Sequence, residues 1–302
     1  KELDLPISIS PPTALILVVA IQPGHNTDQI LNYGYRFFHQ IFNDRQLLGL
    51  ALLADGIRRI ESARYRRLFT CPFSGVLEFN NLFTSYKGEG TGAVRHMFAH
   101  HILKPERTPI EANLWGIQAS SGSFSNLFKC RILSLLDYQD RPFEVDATEP
   151  SPNRVWGLSL SLNGEVVDQY SELSETRRAC VRCTDSANSG LPDASIDAVV
   201  TDPPFFDNVH YSELADYFYI WQRHLLGGDG PMTTRSPREV QCKDPDEFAR
   251  RLGLVWNECH RVLKDDGILV FTYHHSRPEG WVALLTSLVK GGFRIVNAHP
   301  VK

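Results

Sequence analysis

Long hydrophobic runs are missing from this 302-residue sequence, and the longest one covers only residues 14–21. A helix that crosses a bilayer needs about 20 apolar residues, so this run is predicted to be a buried strand. Lys1, Glu2 and Asp4 precede it and no small-residue cleavage site follows it, which argues against a secretion signal. We therefore expect a cytoplasmic protein.

The sequence also lacks the cysteine and histidine clusters that form disulfide scaffolds or structural metal sites. Its six cysteines are scattered, which is typical of reduced thiols in a chain of this size. Cys180 and Cys183 have the spacing of a zinc knuckle, but a structural zinc site needs about four ligands and no second such pair exists. His96 and His100 have helical i, i+4 spacing without a third ligand nearby. No metal site is predicted.

Positive charge is not in excess, since 31 Lys and Arg stand against 35 Asp and Glu, for a net charge of -4. This balance argues against a general affinity for nucleic acid, although a local basic face can still bind phosphate. The favoured interpretation of one arginine cluster is a solvated helix end, where positive charge complements the helix dipole, and the alternative is a phosphate-binding strip. The cluster consists of Arg58, Arg59, Arg64, Arg66 and Arg67.

The first half of the chain is predicted to be mostly helical. Asn43 or Asp44 can cap a helix whose apolar side extends over residues 47–57. Residues 76–103 are also predicted to be largely helical, and a further helical stretch covers residues 124–136. A proline-rich segment then marks a domain boundary.

The second half changes to alternating strands and helices. Residues 158–168 carry a hairpin signature centred on Asn163-Gly164. Alternation of strands and helices implies a mostly parallel sheet covered on both faces, and such sheets bind ligands at the carboxyl ends of their strands. The predicted strands are 179–183, 196–200, 267–273 and 293–298, and the predicted helices are 212–226, 246–263 and 281–290.

Asp202-Pro203-Pro204-Phe205 directly follows the predicted strand 196–200. Each proline fixes φ and removes an N–H donor, so the turn is stiff and its carbonyl groups have set directions. An exocyclic amine of adenine or cytosine is a poor nucleophile because its lone pair is delocalised into the ring. If Asp202 accepts one N–H and the Pro203 carbonyl accepts the other, the nitrogen approaches tetrahedral geometry and its lone pair is freed. Phe205 would stack on the base, which must be flipped out of a duplex.

The same four residues also fit a rigid strand-to-loop turn without chemistry, because a four-residue match is weakly specific. The residues before the turn favour the catalytic interpretation, since residues 191–197 lead into a strand that ends at the turn.

The stretch "LPDASIDAVVTDPPF", residues 191–205, resembles the catalytic motif and lead-in strand of the amino-methyltransferases. These enzymes transfer a methyl group from S-adenosylmethionine to the exocyclic amine of adenine or cytosine in DNA. The longer stretch "TDPPFFDNVHYSELADYFYIWQRHLL", residues 201–226, is similar to a narrower group, the predicted adenine-specific DNA methylases that often carry a zinc ribbon. Residues 31–60 and 79–126 also resemble that group, so the resemblance covers most of the chain.

The resemblance implies an α/β fold, a Rossmann-like methyltransferase sheet with a largely helical N-terminal region. Residues 1–150 are then a mostly helical region with one N-terminal strand that takes part in substrate binding. Residues 151–302 are the methyltransferase core, expected to be incomplete at both ends.

The resemblance also implies the residues of the site. Asp202, Pro203, Pro204 and Phe205 form the catalytic turn; the family usually has Tyr at the fourth position, and Phe keeps its stacking face. S-adenosylmethionine is the implied cofactor, with Asp185, Thr201 and Asp202 as its binding residues. An exposed loop aspartate without a ligand is the alternative for Asp185.

Two features depart from the family's pattern. The glycine-rich cofactor loop is not clearly present in the sequence. Its nearest match is residues 71–75, and a helix over residues 73–83 explains this region better. The chain also stops just after the predicted strand 293–298, where the fold normally adds a closing strand. Both departures are expected of a fragment whose first strands and last strand lie outside these residues, and in that case the cofactor loop and any zinc ribbon precede Lys1.

The leading functional prediction is methylation of the amino group of a flipped DNA base, with adenine N6 as the first target. Cytosine N4, an RNA base or a protein amide remain alternative substrates. The alternative from a different functional class is a non-catalytic nucleic-acid-binding subunit with a degenerate methyltransferase fold. DNA and S-adenosylmethionine are the predicted partners, no membrane is expected, and the binding of other defence or restriction subunits is left open.

Overall fold

The structure is a computed structural model that describes residues 18–88, 94–100, 102–106, 110–117, 120, 122–146, 153–157, 164–174 and 177–300. The chain divides into two compact units. The helical unit comprises Lys1–Leu162 and Tyr211–Arg235, and the sheet unit comprises Asn163–His210 and Ser236–Lys302.

The helical unit contains helices and short two-stranded sheets. Strand β1 (Ser85–Tyr86) pairs antiparallel with β2 (Val94–Arg95), and β3 (Phe143–Asp146) pairs antiparallel with β4 (Asn153–Trp156). Among all the described residues, no helix has the length and apolar character needed to cross a membrane. The α-helices are α1 (Asp28–Asn32), α2 (Asp44–Arg58), α3 (Ala63–Phe79), α4 (Phe124–Leu127), α5 (Ser134–Asp140) and α6 (Tyr211–Leu226), and a π-helix, Phe128–Leu133, joins α4 to α5.

Capping residues define the starts of the two long helices α2 and α3. The Asn43 side chain accepts a hydrogen bond from the Gln46 N–H (2.8 Å), and the Gln46 side chain accepts one from the Asn43 N–H (3.0 Å). This reciprocal pair satisfies two N–H groups at the helix end and confirms the predicted start of α2. Ser62 caps α3. Residues 71–75 lie inside α3, so the predicted helix over residues 73–83 is confirmed as far as Phe79 and wrong for residues 80–83.

An aromatic core holds α6 against α3. Phe73 and Trp221 are buried with their ring centroids 5.5 Å apart, and Phe42 stacks on Tyr217 at 5.8 Å. The Tyr217 hydroxyl donates a hydrogen bond to the Leu77 carbonyl (2.7 Å). Because a buried hydroxyl without a partner is costly, this bond fixes the orientation of α6 on α3.

Two buried carboxylates near the start of α6 tie this helix to loops of the same unit. Glu213 accepts a hydrogen bond from the Asn26 N–H (2.6 Å). Asp216 accepts hydrogen bonds from the Thr233 hydroxyl (2.6 Å) and the Thr234 N–H (2.5 Å). Buried carboxylates require such partners, so these bonds locate both loops relative to α6.

The prediction of a largely helical segment over residues 76–103 is wrong beyond Phe79. The Asn81 side chain donates to the Leu77 carbonyl (2.7 Å) and accepts from the Phe83 N–H (2.8 Å). Asn side chains that bond to nearby backbone groups compete with the helical pattern. The helix therefore ends at Phe79, and strands β1 and β2 follow.

The sheet unit contains two parallel strand pairs and two long helices. Strand β5 (Glu165–Val167) pairs parallel with β6 (Arg178–Cys180), and β7 (Ile196–Thr201) pairs parallel with β8 (Leu263–Phe271). Asp244 caps the first helix by accepting a hydrogen bond from the Glu247 N–H (2.7 Å). The helices are α7 (Pro245–Val262) and α8 (Pro278–Lys290).

One face of the β7–β8 pair contributes to a core with α7 and α8. Trp256 of α7 is fully buried, and its ring lies 5.6 Å from that of Phe271 on β8. The Trp256 indole N–H donates to the Ser287 hydroxyl of α8 (3.0 Å). On the opposite face Val200 is 77% exposed and Ile268 is 57% exposed. The described residues thus cover this parallel pair on one face.

The structure is mixed α/β, as predicted, and its described strands form two-stranded sheets. Most predicted elements after residue 177 are confirmed to within a few residues, but the predicted strand 293–298 is wrong. These residues pair with no strand in the part of the chain that the structure describes, and Val296 is 80% exposed. Most of the predicted N-terminal strand and the first half of the predicted hairpin, residues 158–163, lie outside the described residues. The second half of that hairpin, β5, pairs in parallel with β6, and its pairing with residues 158–162 stays a prediction.

Replacement of Trp256 by Ala is expected to lower the free energy of unfolding by about 3–5 kcal/mol, because it removes a buried aromatic side chain and leaves a cavity. Leu254→Ala on the same helix is the matched control, since Leu254 is exposed and surface substitutions change stability by about 0.5 kcal/mol or less. Urea denaturation followed by circular dichroism measures both. Equal losses for the two variants would contradict the proposed core.

Candidate active site

The Asp202 turn begins where strand β7 ends. Thr201 is the last residue of β7 and is in register with Phe271 of β8. The Thr272 N–H donates to the Thr201 carbonyl (3.3 Å), which extends the ladder by one bond. Because the two strands are parallel, their carboxyl ends lie at the same edge of the pair, and residues from both reach this edge.

The turn exposes its acid and buries its first proline. Asp202 is exposed, Pro203 is buried and Pro204 is half-buried. One carboxylate oxygen of Asp202, Oδ1, accepts a hydrogen bond from the Thr272 hydroxyl. The buried proline ring and this hydrogen bond together orient the carboxylate, which faces outward rather than into the protein.

An aromatic row extends from the turn towards helix α8. The Phe205 ring is half-buried and meets the Tyr273 ring edge-on, with centroids 5.4 Å apart. Tyr273 in turn meets Trp281 edge-on at 5.0 Å. The Tyr273 hydroxyl donates to the Gly280 carbonyl (3.0 Å), and burial raises the pKa of Tyr273 to about 12. Phe205 is therefore supported from one side by a fixed, neutral aromatic ring.

The residue after the Asp202 turn, Phe206, has a strained backbone. Its φ is +48°, a left-handed conformation that bulky residues rarely adopt. Its carbonyl accepts a hydrogen bond from the buried Gln241 side chain. Such strain costs about 1–3 kcal/mol, persists only when the surroundings impose it, and is concentrated at functional sites.

The packing around Phe206 supplies that constraint. Its buried ring lies 5.4 Å from the Phe248 ring and 5.5 Å from the His275 ring, both edge-on. The Arg277 guanidinium lies 5.4 Å from the Phe206 ring centroid and pairs with the Asp207 carboxylate at 3.3 Å. These contacts clamp both residues that follow Phe205.

Asp185 lies in a different part of the sheet unit, in the loop after β6. Its Oδ1 accepts a hydrogen bond from the Ala187 N–H (3.0 Å), and its Oδ2 pairs with Arg238 at 3.2 Å. Strand β6 pairs with β5, whereas the Asp202 turn follows β7. The structure thus brings Thr201, Asp202 and Phe205 together at one edge and places Asp185 at the end of another strand pair.

A half-buried ion-pair cluster anchors the loop that leads into β7. Glu258 of α7 accepts hydrogen bonds from the Ser189 hydroxyl (2.6 Å) and from Arg261 (2.7 Å). Arg261 also donates to the Leu191 carbonyl (2.8 Å). The Arg261 guanidinium, with Ser189, lowers the pKa of Glu258 from its ordinary value of 4.5 to about 2. The cluster holds residues 189–191 against α7.

Several residues of this site were not predicted from the sequence. Thr272 and Tyr273 lie at the end of the predicted strand 267–273, so the rule that parallel strands share their carboxyl edge indicates them. Gln241 and Arg277 lie in loops and reach the turn only through tertiary packing. No local sequence signal identifies these two residues.

Gln241→Ala is expected to lower the free energy of unfolding by about 1–3 kcal/mol, because the Phe206 carbonyl then lacks its donor in a buried, strained turn. Gln22→Ala is the control, since Gln22 is exposed. Chemical denaturation of both variants measures the difference. A loss no greater than that of the control would show that Gln241 does not hold the turn.

The Glu258 cluster predicts a pH-dependent stability. A carboxyl whose folded pKa is depressed contributes its full stabilisation above pH ~4.5, and this contribution is lost as the pH falls towards about 2. The melting temperature of the wild type should therefore fall more steeply between pH 5 and pH 3 than that of Glu258→Gln. Glu279→Gln, at an exposed position, should behave like the wild type. Parallel profiles for wild type and Glu258→Gln would contradict the role of the cluster.

No family model, no curated protein and no solved structure matches this chain. The roles of these residues therefore rest on their chemistry and on the geometry of the sheet unit.

Proposed function

We propose that this protein is an S-adenosylmethionine-dependent methyltransferase that methylates an exocyclic amine of a DNA base, with adenine N6 as the leading target. The observation that carries the proposal is the exposed Asp202 carboxylate at the carboxyl end of β7, oriented by Thr272 and followed by two prolines. In this proposal the strand pairs β5–β6 and β7–β8 are parts of a Rossmann-like methyltransferase sheet.

The proposed chemistry begins with the two N–H groups of the amine. Asp202 accepts one N–H through the carboxylate, and the Pro203 carbonyl accepts the other. These bonds draw the nitrogen towards tetrahedral geometry and localise its lone pair, so that the nitrogen can attack the sulfonium methyl carbon in line. The C–N bond would form as the C–S bond breaks, the neutral thioether would leave, and the extra proton on nitrogen would pass to Asp202 or to water. The Thr272 hydroxyl donates a hydrogen bond to Oδ1 of Asp202, whereas Oδ2 has no hydrogen-bond partner within the described residues. That oxygen is the proposed acceptor.

Phe205 is the proposed stacking surface for the flipped base. Aromatic side chains stack on nucleobases with about 1–3 kcal/mol per base. Edge-on contact with Tyr273 fixes the Phe205 ring and still leaves it half-buried rather than fully covered. Preorganised rings reduce the entropy lost on binding, which favours this role.

Thr201, Asp202 and Asp185 are the residues proposed to hold S-adenosylmethionine, which supplies the electrophilic methyl group when bound. Carboxylates suit this ligand because they accept hydrogen bonds from its hydroxyl and amino groups. The Asp185 carboxylate is paired with Arg238, whose side chain is 78% exposed. An exposed ion pair is weak, so Arg238 is a partner that a ligand hydroxyl can replace.

One observation favours a second candidate function, a non-catalytic nucleic-acid-binding subunit. Residues 71–75, the nearest match to a glycine-rich cofactor loop, lie within helix α3, where Pro72 and Phe73 are buried. A helix that packs against a core cannot serve as a cofactor loop. The second candidate therefore keeps the fold and the turn without the methyl transfer.

The catalytic role of Asp202 is tested by transfer of a labelled methyl group from S-adenosylmethionine to mixed-sequence DNA. Asp202→Asn keeps the size of the side chain and removes its charge, and we expect activity to fall by about 10²–10⁴-fold. Asp229→Asn, at an exposed position of the helical unit, is the matched control and should retain activity. If Asp202→Asn keeps most of the wild-type rate, the proposed role of this carboxylate is wrong.

Calorimetry separates the two candidate functions. Binding of S-adenosylmethionine to the full-length protein, weakened by Asp185→Ala, is the result expected of the enzyme. DNA binding without any S-adenosylmethionine binding favours the non-catalytic subunit.

A further inference from the structure

The arginine cluster of the helical unit lies across two helices rather than at one helix end. Arg58 is the last residue of α2 and Arg59 is its C-cap, where positive charge complements the helix dipole. Arg64, Arg66 and Arg67 belong to the beginning of α3. The interpretation of the whole cluster as a favourable helix end is therefore wrong for these three residues.

The charges at the start of α3 are unfavourably placed for the stability of the helix. The N-terminal end of a helix carries a partial positive charge, and natural helices favour acidic residues there. The first turn of α3 contains no acidic residue and includes Arg64. Arg66 and Arg67 come two and three residues after Arg64. A placement that opposes helix stability points to a role outside folding.

Two of these arginines have side chains that face solvent. Arg64 and Arg67 are exposed and three residues apart, so they share one face of α3. By contrast, Arg59 pairs with Asp55, and Arg66 donates to the Ile60 carbonyl (3.0 Å). Arg64 and Arg67 have no ion-pair partner among the described residues, and they are available to an external anion.

An exposed aromatic ring directly follows Arg64 in the first turn of α3. Tyr65 is 55% exposed at the start of α3. Exposed aromatic rings beside arginines are a common arrangement for binding nucleic acid, because the ring stacks on bases while guanidinium groups bind phosphates. From Arg58 to Pro72 the large hydrophobic residues other than Tyr65 are buried or half-buried. Helices that bind a membrane surface need a wide apolar face, so the arrangement favours nucleic acid over a lipid surface.

The local positive field is also felt by a neighbouring histidine of the same unit. Burial and the Arg58 charge lower the pKa of His224 to about 4, although Asp55 acts in the opposite direction. This agrees with a segment, Arg58 to Arg67, that has five arginines and a single acid, Glu61.

We propose that Arg64 and Arg67 form a surface that binds the phosphodiester backbone of DNA, with Tyr65 beside Arg64 in the same helical turn. The guanidinium groups of Arg64 and Arg67 form charge-assisted hydrogen bonds with phosphate oxygens, and Tyr65 stacks on an unpaired base. That the nucleic acid is DNA rests on the proposed function; the phosphate-binding surface itself rests only on the exposure and placement of these side chains.

Fluorescence anisotropy with labelled single-stranded DNA of mixed sequence tests the proposal on the full-length protein. For the double variant Arg64→Ala with Arg67→Ala we expect Kd to rise at least about tenfold, and the slope of log K against log salt to become shallower by about 1.4, for two lost phosphate contacts. Arg250→Ala with Arg294→Ala removes the same charge from exposed positions of the sheet unit and should leave Kd and the slope nearly unchanged.

Thermal unfolding distinguishes a binding role of Arg64 and Arg67 from a structural role. Because the double variant removes positive charge from the start of α3, its melting temperature should equal or exceed that of the wild type. Loss of DNA binding together with an unfolded or destabilised protein would overturn the proposal in this form. A second variant, Arg64→Lys with Arg67→Lys, keeps the charge and should retain the salt slope.

The outcomes distinguish this inference from the proposed function. Equal Kd values for the wild type and the double variant overturn the surface, whether or not the protein methylates DNA. Tighter binding of single-stranded RNA, or binding of phosphatidylserine vesicles but not DNA through the same arginines, overturns the assignment to DNA. DNA binding that depends on Arg64 and Arg67 without any methyl transfer supports the surface and contradicts the catalytic proposal.

Discussion

The parallel pairing of β7 with β8 is the constraint on which the candidate site depends. Two-residue turns cannot join parallel strands, so a long connection must separate them in sequence. In this chain that connection includes α6 and α7, and it brings Thr272 back beside Asp202. Packing of Trp256 on Phe271 fixes β8 against α7 on the covered face of the pair. The orientation of the Asp202 carboxylate is therefore a consequence of the sheet and its core.

Strain at Phe206 is imposed by the same core. A left-handed φ at a bulky residue is unfavourable, and it persists because Phe248, Gln241 and Arg277 fix the ring, the carbonyl and the following carboxylate. This arrangement resembles preorganisation at binding sites, where rigid surroundings hold reactive groups in place before a ligand arrives. Pro203 and Pro204 thus stiffen the turn itself, and the packing of Phe206 and Asp207 fixes the residues that follow it.

Local stability and proposed binding oppose each other at the start of α3. Ser62 provides the expected cap for this helix, whereas Arg64 opposes its dipole. Natural proteins violate a local rule most often where function requires it. Ser62 therefore serves the folding of α3, whereas Arg64 is proposed to serve binding.

The sequence by itself determined the mixed α/β class, the Asn43 cap, the helical state of residues 71–75 and the strand before Asp202, because each depends on local propensity or short-range hydrogen bonds. Only the tertiary structure decided that Thr272 bonds to Asp202, that Gln241 and Arg277 hold the residues after Phe205, and that residues 293–298 pair with no described strand. These features depend on residues far apart in the chain, and a pattern of neighbouring residues contains no information about such partners. The failed helical prediction beyond Phe79 has the same cause in part, since Asn81 has both local and long-range bonds, to Leu77 and to Met97.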